Sequence, residues 1–176
     1  SKGDICTWIN SDDLIYKGAL WKVAKYFSDD EDLEFIHGRG LYFDDSGNKW
    51  PADKHFDNLE IRYITHFCYD LQPSTYYRRK ILDRIGYLDE SYILQMDAEF
   101  FIRVGLNCKI RKVEDLLSRF REHSARKSNL LLYQAKMEHE FYRRYSKLLR
   151  SFHFTEDLIE SAKSLKVYIE EDGKFP

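Results

Sequence analysis

The chain is expected to fold as an α/β domain, and three stretches carry that expectation. An apolar, β-prone run at residues 5–10 ends in the adjacent acids Asp12 and Asp13. Residues 18–27 place Leu20, Val23, Ala24 and Phe27 at helical spacing. Beyond an acidic loop at 29–32, residues 33–38 and 41–43 read as strands, with Asp44-Asp45-Ser46-Gly47-Asn48 as the turn after them. Strand, helix, strand and hairpin in that order describe half of a β/α sheet.

The remaining elements follow from local signals. Residues 50–70 are mixed in pattern. Residues 72–77 read as extended, because Pro73 biases its predecessor away from helix. A short helix over 79–85 is stopped by Gly86. Phe100, Phe101 and Val104 mark a helix over 96–104 that Gly105 closes, and strands are predicted at 108–113 and 116–120. From residue 129 the character changes: Leu130, Leu131, Met137, Phe141, Tyr145, Leu148, Leu149 and Phe152 recur at three- and four-residue steps. That spacing predicts a long amphipathic helix over 129–152, then a shorter one over 156–164. The chain is thus divided into an α/β portion, 1–128, and a helical tail, 129–176.

Composition narrows the class of partner. A hydrophobic content of 43% over 176 residues supports a packed core. A net charge of −2 supplies no general attraction to nucleic acid or to an anionic membrane. No apolar run is long enough to span a bilayer. Cys6, Cys68 and Cys108 are odd in number and far apart, as expected of reduced thiols in a cytoplasmic protein. Thirteen Tyr and twelve Phe suit either an aromatic core or a cleft that receives sugar or nucleotide, and Trp8, Trp21 and Trp50 fit core or cleft wall equally.

Acids at the carboxyl end of a strand stand where ligands bind in open α/β sheets. Two carboxylates there suit a hard divalent cation that keeps phosphate oxygens as its other ligands. A plain Asp-rich turn or helix cap accounts for the same residues.

Four segments, taken in order, carry a resemblance: Asn10-Ser11-Asp12-Asp13, Gln72 to Arg79, Gln95-Met96-Asp97-Ala98-Glu99-Phe100, and Phe120-Arg121-Glu122-His123 to Ser128. With Gly86-Tyr87-Leu88-Asp89-Glu90 ahead of the third, they resemble the family 2 glycosyltransferases of the GT-A fold over roughly residues 3–128. The resemblance implies a partial GT-A mixed sheet flanked by helices. It also implies transfer of a sugar from a nucleotide-sugar donor, such as a UDP-sugar, to a carbohydrate or lipid-linked acceptor. Asp13 would then ligate Mn²⁺ or Mg²⁺ with His123, and Asp12, Arg121 and Ser128 would contact the donor. Asp97 would be the general base of an inverting displacement, with Glu99 as the rival carboxylate. Gln72, Thr75, Tyr76 and Arg79 would face donor sugar and acceptor. Each role has a plainer counterpart: Asp97 as a helix cap, His123 as a surface residue, the tyrosines as core.

The family's nucleotide-reading strands ordinarily precede the metal motif, so the resemblance covers the carboxyl-terminal half of such a domain. That implies a piece of a longer enzyme, inactive alone, with an open face through which copies associate or onto which the tail folds. Two other functions compete. One is a truncated binding module whose tail presents Arg143, Arg144, Lys147 and Arg150 to a partner or to the inner membrane surface. The other is a phosphohydrolase built on Asp12 and Asp13, which lacks the acids for a second metal.

Overall fold

The computed structural model describes residues 2–52, 72–92 and 96–126. Expectations placed on 53–71, on Gln95 and on everything from Lys127 onward, including Ser128 and both tail helices, lie outside the described residues.

Six strands form one mixed sheet. They are β1 (Ile5–Cys6), β2 (Leu14–Ile15), β3 (Phe35–Asp44), β4 (Lys49–Pro51), β5 (Thr75–Arg78) and β6 (Ile110–Glu122). The order across the sheet is β1-β5-β3-β6-β2, with β4 pairing the far half of β3. β3 and β6 run parallel, and the other described pairings are antiparallel. Among the described residues three helices flank the sheet: α1 (Ala19–Asp29), α2 (Ile81–Ile85) and α3 (Met96–Asn107). The expected α/β class with a mixed sheet and flanking helices is the observed one.

Strand periodicity sends alternate residues to opposite faces, and both faces are covered. Ile36 and Tyr76, partners across β3 and β5, point toward α1, where Ala19, Val23, Phe27, Leu33, Val113 and Leu117 complete one core. Phe35 and Tyr77, the adjacent pair, point the other way and meet Ile81, Ile85, Phe100, Phe101 and Val104 of α2 and α3. Burying each of these larger side chains contributes about 1.5–3 kcal/mol. Arg78, at the end of β5, donates to the carbonyls of Phe27 (2.7 Å), Leu33 (2.8 Å) and Asp30 (3.2 Å), fastening the carboxyl end of α1 to the sheet.

Several boundaries differ from the sequence reading. The first strand is only Ile5–Cys6, because from Thr7 the chain leaves the β5 edge and crosses to the opposite edge, where β2 pairs with β6. The strands expected at 33–38 and 41–43 are one strand, and so are those expected at 108–113 and 116–120. α3 does not stop at Gly105 but continues to Asn107. In α1 the buried residues are Ala19, Val23 and Phe27, whereas Leu20 is 56% and Trp21 83% exposed, which removes Trp21 from the core. Residues 72–77 begin with a 3₁₀ turn, Gln72–Ser74, before β5.

The continuity of β3 through Gly38 and Gly40 depends on irregularity in its partner. His37 faces Lys112, but Arg39 faces Leu116 and Gly40 faces Ser118, so β6 bulges there. The bulge carries Asp115 out to α1, where it accepts hydrogen bonds from Lys22 (2.5 Å) and Tyr26 (2.7 Å). It also drives Leu117 against Gly38: a Cβ on that glycine would stand 2.4 Å from Leu117 Cδ1 and 3.0 Å from the Asp115 carbonyl oxygen. Leu117 is fully buried and has nowhere to retreat. Gly38→Val is therefore expected to lower the unfolding free energy by about 1–3 kcal/mol, read as a reduced urea midpoint; an unchanged midpoint would contradict this packing.

Candidate active site

The crossing segment, residues 7–13, spans the sheet from its β1 edge to its β2 edge and is fastened at three places. Gln72 donates its side-chain amide to the Trp8 carbonyl. The Trp8 ring stacks on Phe101 (5.8 Å between centroids) and meets Phe100 edge-on at 5.6 Å. At the far end the Asp13 carboxylate accepts the backbone N–H of Arg121 at 3.0 Å and the side-chain amide of Asn10 at 3.1 Å. Asp13 is 6% exposed. Burial pushes its carboxyl above the usual range; the two hydrogen bonds and the Arg126 charge oppose that push, and the neighbouring Asp12 charge adds to it.

Asp12 turns outward from the same loop and meets His123 at 3.0 Å between Oδ2 and Nε2. Residues 111 positions apart are thereby joined at the carboxyl end of β6. The side chain of Arg121 reaches Asp45 in the β3–β4 turn, with Nε at 2.9 Å and a terminal nitrogen at 2.6 Å from Oδ1. Arg126 pairs with Glu122 and lies over the Phe120 ring at 4.7 Å. The result is one cluster of Asp12, Asp13, Asp45, Arg121, Glu122, His123 and Arg126. Asp45 was not among the residues singled out by sequence; Asp44-Asp45-Ser46-Gly47 carries the signal of a turn, and nothing local shows which side chain the turn will meet.

Asp97 stands in the first turn of α3. α3 ends at Asn107, and β6 starts three residues later opposite Phe35. Phe100, Phe101 and Val104 pack the helix on the sheet against Phe35 and Tyr77. Asp97 lies one turn before Phe101, the residue stacked on Trp8. Its Oδ1 accepts the Ala98 N–H at 2.9 Å, and burial raises the carboxyl above its usual range against that bond. Glu99 is engaged elsewhere: both of its oxygens are held by Arg103, at 2.7 and 2.6 Å.

The expected sugar-facing residues separate. Gln72 is buried, with its amide on the crossing segment and its Oε1 without a hydrogen-bond partner among the described residues. Thr75 is fully buried and donates to the Gln72 carbonyl at 2.7 Å. Tyr76 is 2% exposed inside the α1 core. Burial of this kind leaves neither Thr75 nor Tyr76 a surface on which to receive a sugar. Arg79 follows β5 and stands at the other end of the sheet, where its backbone N–H donates to the Asp4 carbonyl at 2.8 Å.

No group of three or more His, Cys, Asp or Glu side chains among the described residues forms a cation cage of its own. The donor chemistry of Asp12, Asp13 and His123 fits a cation of a different kind, one that takes one or two protein ligands and completes its shell with phosphate oxygens. No helix among the described residues is long and apolar enough to cross a membrane.

No protein-family model and no curated protein matches the sequence. Solved structures do match. S. aureus TarS residues 1–349 in complex with UDP-GlcNAc superimposes with a TM-score of 0.68 at 17% identity, covering 97% of this chain and 54% of that one. A second structure of S. aureus TarS 1–349 gives 0.60 at 15% identity, covering 92% and 45%. The chain thus spans about half the length of the structures it matches. This likeness does not single out family 2. It shows that the chain has the fold of a GT-A-like glycosyltransferase.

Proposed function

We propose that this chain carries part of the active site of an inverting, metal-assisted glycosyltransferase that uses a nucleoside diphosphate sugar. The observation that carries this reading is the meeting of Asp12 and Asp13 with the Arg121–His123 segment at one end of the sheet. The fold shared with a UDP-GlcNAc-bound neighbour supports a nucleotide-sugar donor. Asp13 and His123, with Asp12 beside them, would hold Mn²⁺ or Mg²⁺. The cation, when bound, neutralises the diphosphate and the charge that grows on it as the sugar departs.

The chain's own groups supply the rest. The Arg121 guanidinium, presented by Asp45, offers forked donors to phosphate oxygens. The Asp97 carboxylate takes the proton of the acceptor hydroxyl as that oxygen attacks the anomeric carbon from the side opposite the diphosphate. One attack from the opposite side inverts the configuration. A carboxyl group raised by burial is a better proton acceptor than an exposed one, because its charged form is poorly solvated.

Two results test this. Mn²⁺ with UDP should raise the melting temperature of the chain, neither alone should do so to the same extent, and Asp13→Asn should remove the effect; UDP stabilisation independent of both metal and Asp13 would refute the assignment. In the full-length enzyme, Asp97→Asn should reduce transfer by about 10²-fold or more with donor affinity unchanged. The sign of the pH dependence follows from the raised carboxyl. The base form exists only above that raised value, so the fall of wild-type activity with falling pH should begin above the ordinary Asp value of about 3.9. An acid limb at the ordinary value, or one that persists in Asp97→Asn, would exclude Asp97 as the base.

A further inference from the structure

At the end of the sheet away from the acids lies a cavity of about 490 Å³, lined by Asp4, Arg78, Arg79, Lys80, Asp83 and Tyr87. Small-molecule sites commonly enclose about 300–1,000 Å³. Arg78 and Tyr77 flank the first residues of β3, whereas Arg121 pairs with Phe43 near its last. Eight residues of strand separate these positions, roughly 26 Å at about 3.3 Å per residue. The cavity is therefore separate from the acidic cluster and independent of the function proposed for it.

Its lining divides into a fixed wall and exposed side chains. The Arg78 guanidinium is spent on the carbonyls of Phe27, Asp30 and Leu33, so it shapes the wall. The Tyr87 backbone is held in place: Arg103 donates to its carbonyl at 2.9 Å and to that of Gly86 at 3.2 Å. Gly86 takes φ +81°, which turns the chain out of α2 and leaves the Tyr87 ring 74% exposed. Arg79 has one ion-pair partner among the described residues, Asp4 at 3.7 Å, whose side chain is 93% exposed. An exposed pair at that distance is weak and readily exchanged for a stronger anion. Lys80 and Asp83, both exposed, form no ion pair among the described residues.

We propose that this cavity binds a phosphorylated saccharide, with its phosphate on Arg79 and Lys80 and its ring on the face of Tyr87. Each lining group then has a chemical use. Two adjacent cations match a dianion. An exposed phenol offers a flat apolar face to the C–H side of a pyranose. The Asp4 and Asp83 carboxylates, which would repel a bare anion, accept hydrogen bonds from sugar hydroxyls. The two acids thus select for a ligand that carries hydroxyls as well as phosphate.

Calorimetric titration of the 176-residue chain with glucose 6-phosphate, inorganic phosphate and glucose tests the proposal. Glucose 6-phosphate should bind saturably and about tenfold more tightly than phosphate or glucose. Arg79→Ala/Lys80→Ala should weaken it by about tenfold or more. Tyr87→Ala should cost about fivefold for glucose 6-phosphate and leave phosphate unchanged. All three are surface positions, and unaltered melting temperatures should accompany these losses. Excess UDP should not compete. The proposal fails if no saturable binding occurs, if phosphate alone binds as tightly, if the double variant binds normally or if UDP displaces the ligand. It also fails if the residues serve a lipid headgroup instead, shown by Arg79- and Lys80-dependent binding to phosphatidylcholine vesicles containing phosphatidic acid without binding of soluble glucose 6-phosphate.

Discussion

One buried carboxylate organises the candidate site. Asp13 ends the segment that crosses the sheet, and its bond from the Arg121 amide joins that segment to the last described strand. β2 contributes only two paired residues on that edge, too few to hold a crossing segment by backbone pairing alone. A hydrogen bond to a charged acceptor adds about 1.5–3 kcal/mol, which is large beside a two-residue ladder. The same burial that makes the bond effective makes the charge costly, and Asp12 alongside increases that cost. A carboxylate in this position is eased by a proton or by a cation.

The long parallel pair of β3 and β6 separates two chemically different ends. At one, acids from the crossing segment and the β3–β4 turn meet Arg121 and His123. At the other, Arg79 and Lys80 stand near an exposed tyrosine. The sheet between them is rigid because both faces are packed, and the bulge in β6 is filled by Leu117 lying on Gly38 and fastened by Asp115 to α1.

Local signals were enough for some elements and not for others. The stop at Gly86 is visible in sequence because it depends on one residue's backbone freedom. The split of β3 into two predicted strands arose from Gly38 and Gly40, which look like breaks until Leu117 of the bulged partner is seen to lie on Gly38. β1 was overextended for a related reason: Trp8 and Ile9 are as β-prone as Ile5, but Trp8 is drawn away by Phe100 and Phe101, more than ninety residues later. At the site, the acid pair and the Arg/His segment could be named from their order along the chain, since their roles depend on residue type. Asp45 could not, because its part is set by which side chain a turn happens to reach. Thr75 and Tyr76 carry the right groups for a sugar but sit on positions that strand alternation sends inward.

The two carboxylates in the first turn of α3 show how the environment assigns different tasks to similar groups. Glu99 is taken at both oxygens by Arg103, which extends its remaining donors to the carbonyls of Ile85, Gly86 and Tyr87. Glu99 therefore works as a brace: it orients the arginine that closes the loop between α2 and the following residues. Asp97, two positions earlier and so on another side of the helix, has no ion-pair partner among the described residues and is desolvated instead. Burial disfavours the charged form of Asp97. The same helix carries the candidate base in its first turn and, six residues on, the arginine that holds the Tyr87 backbone.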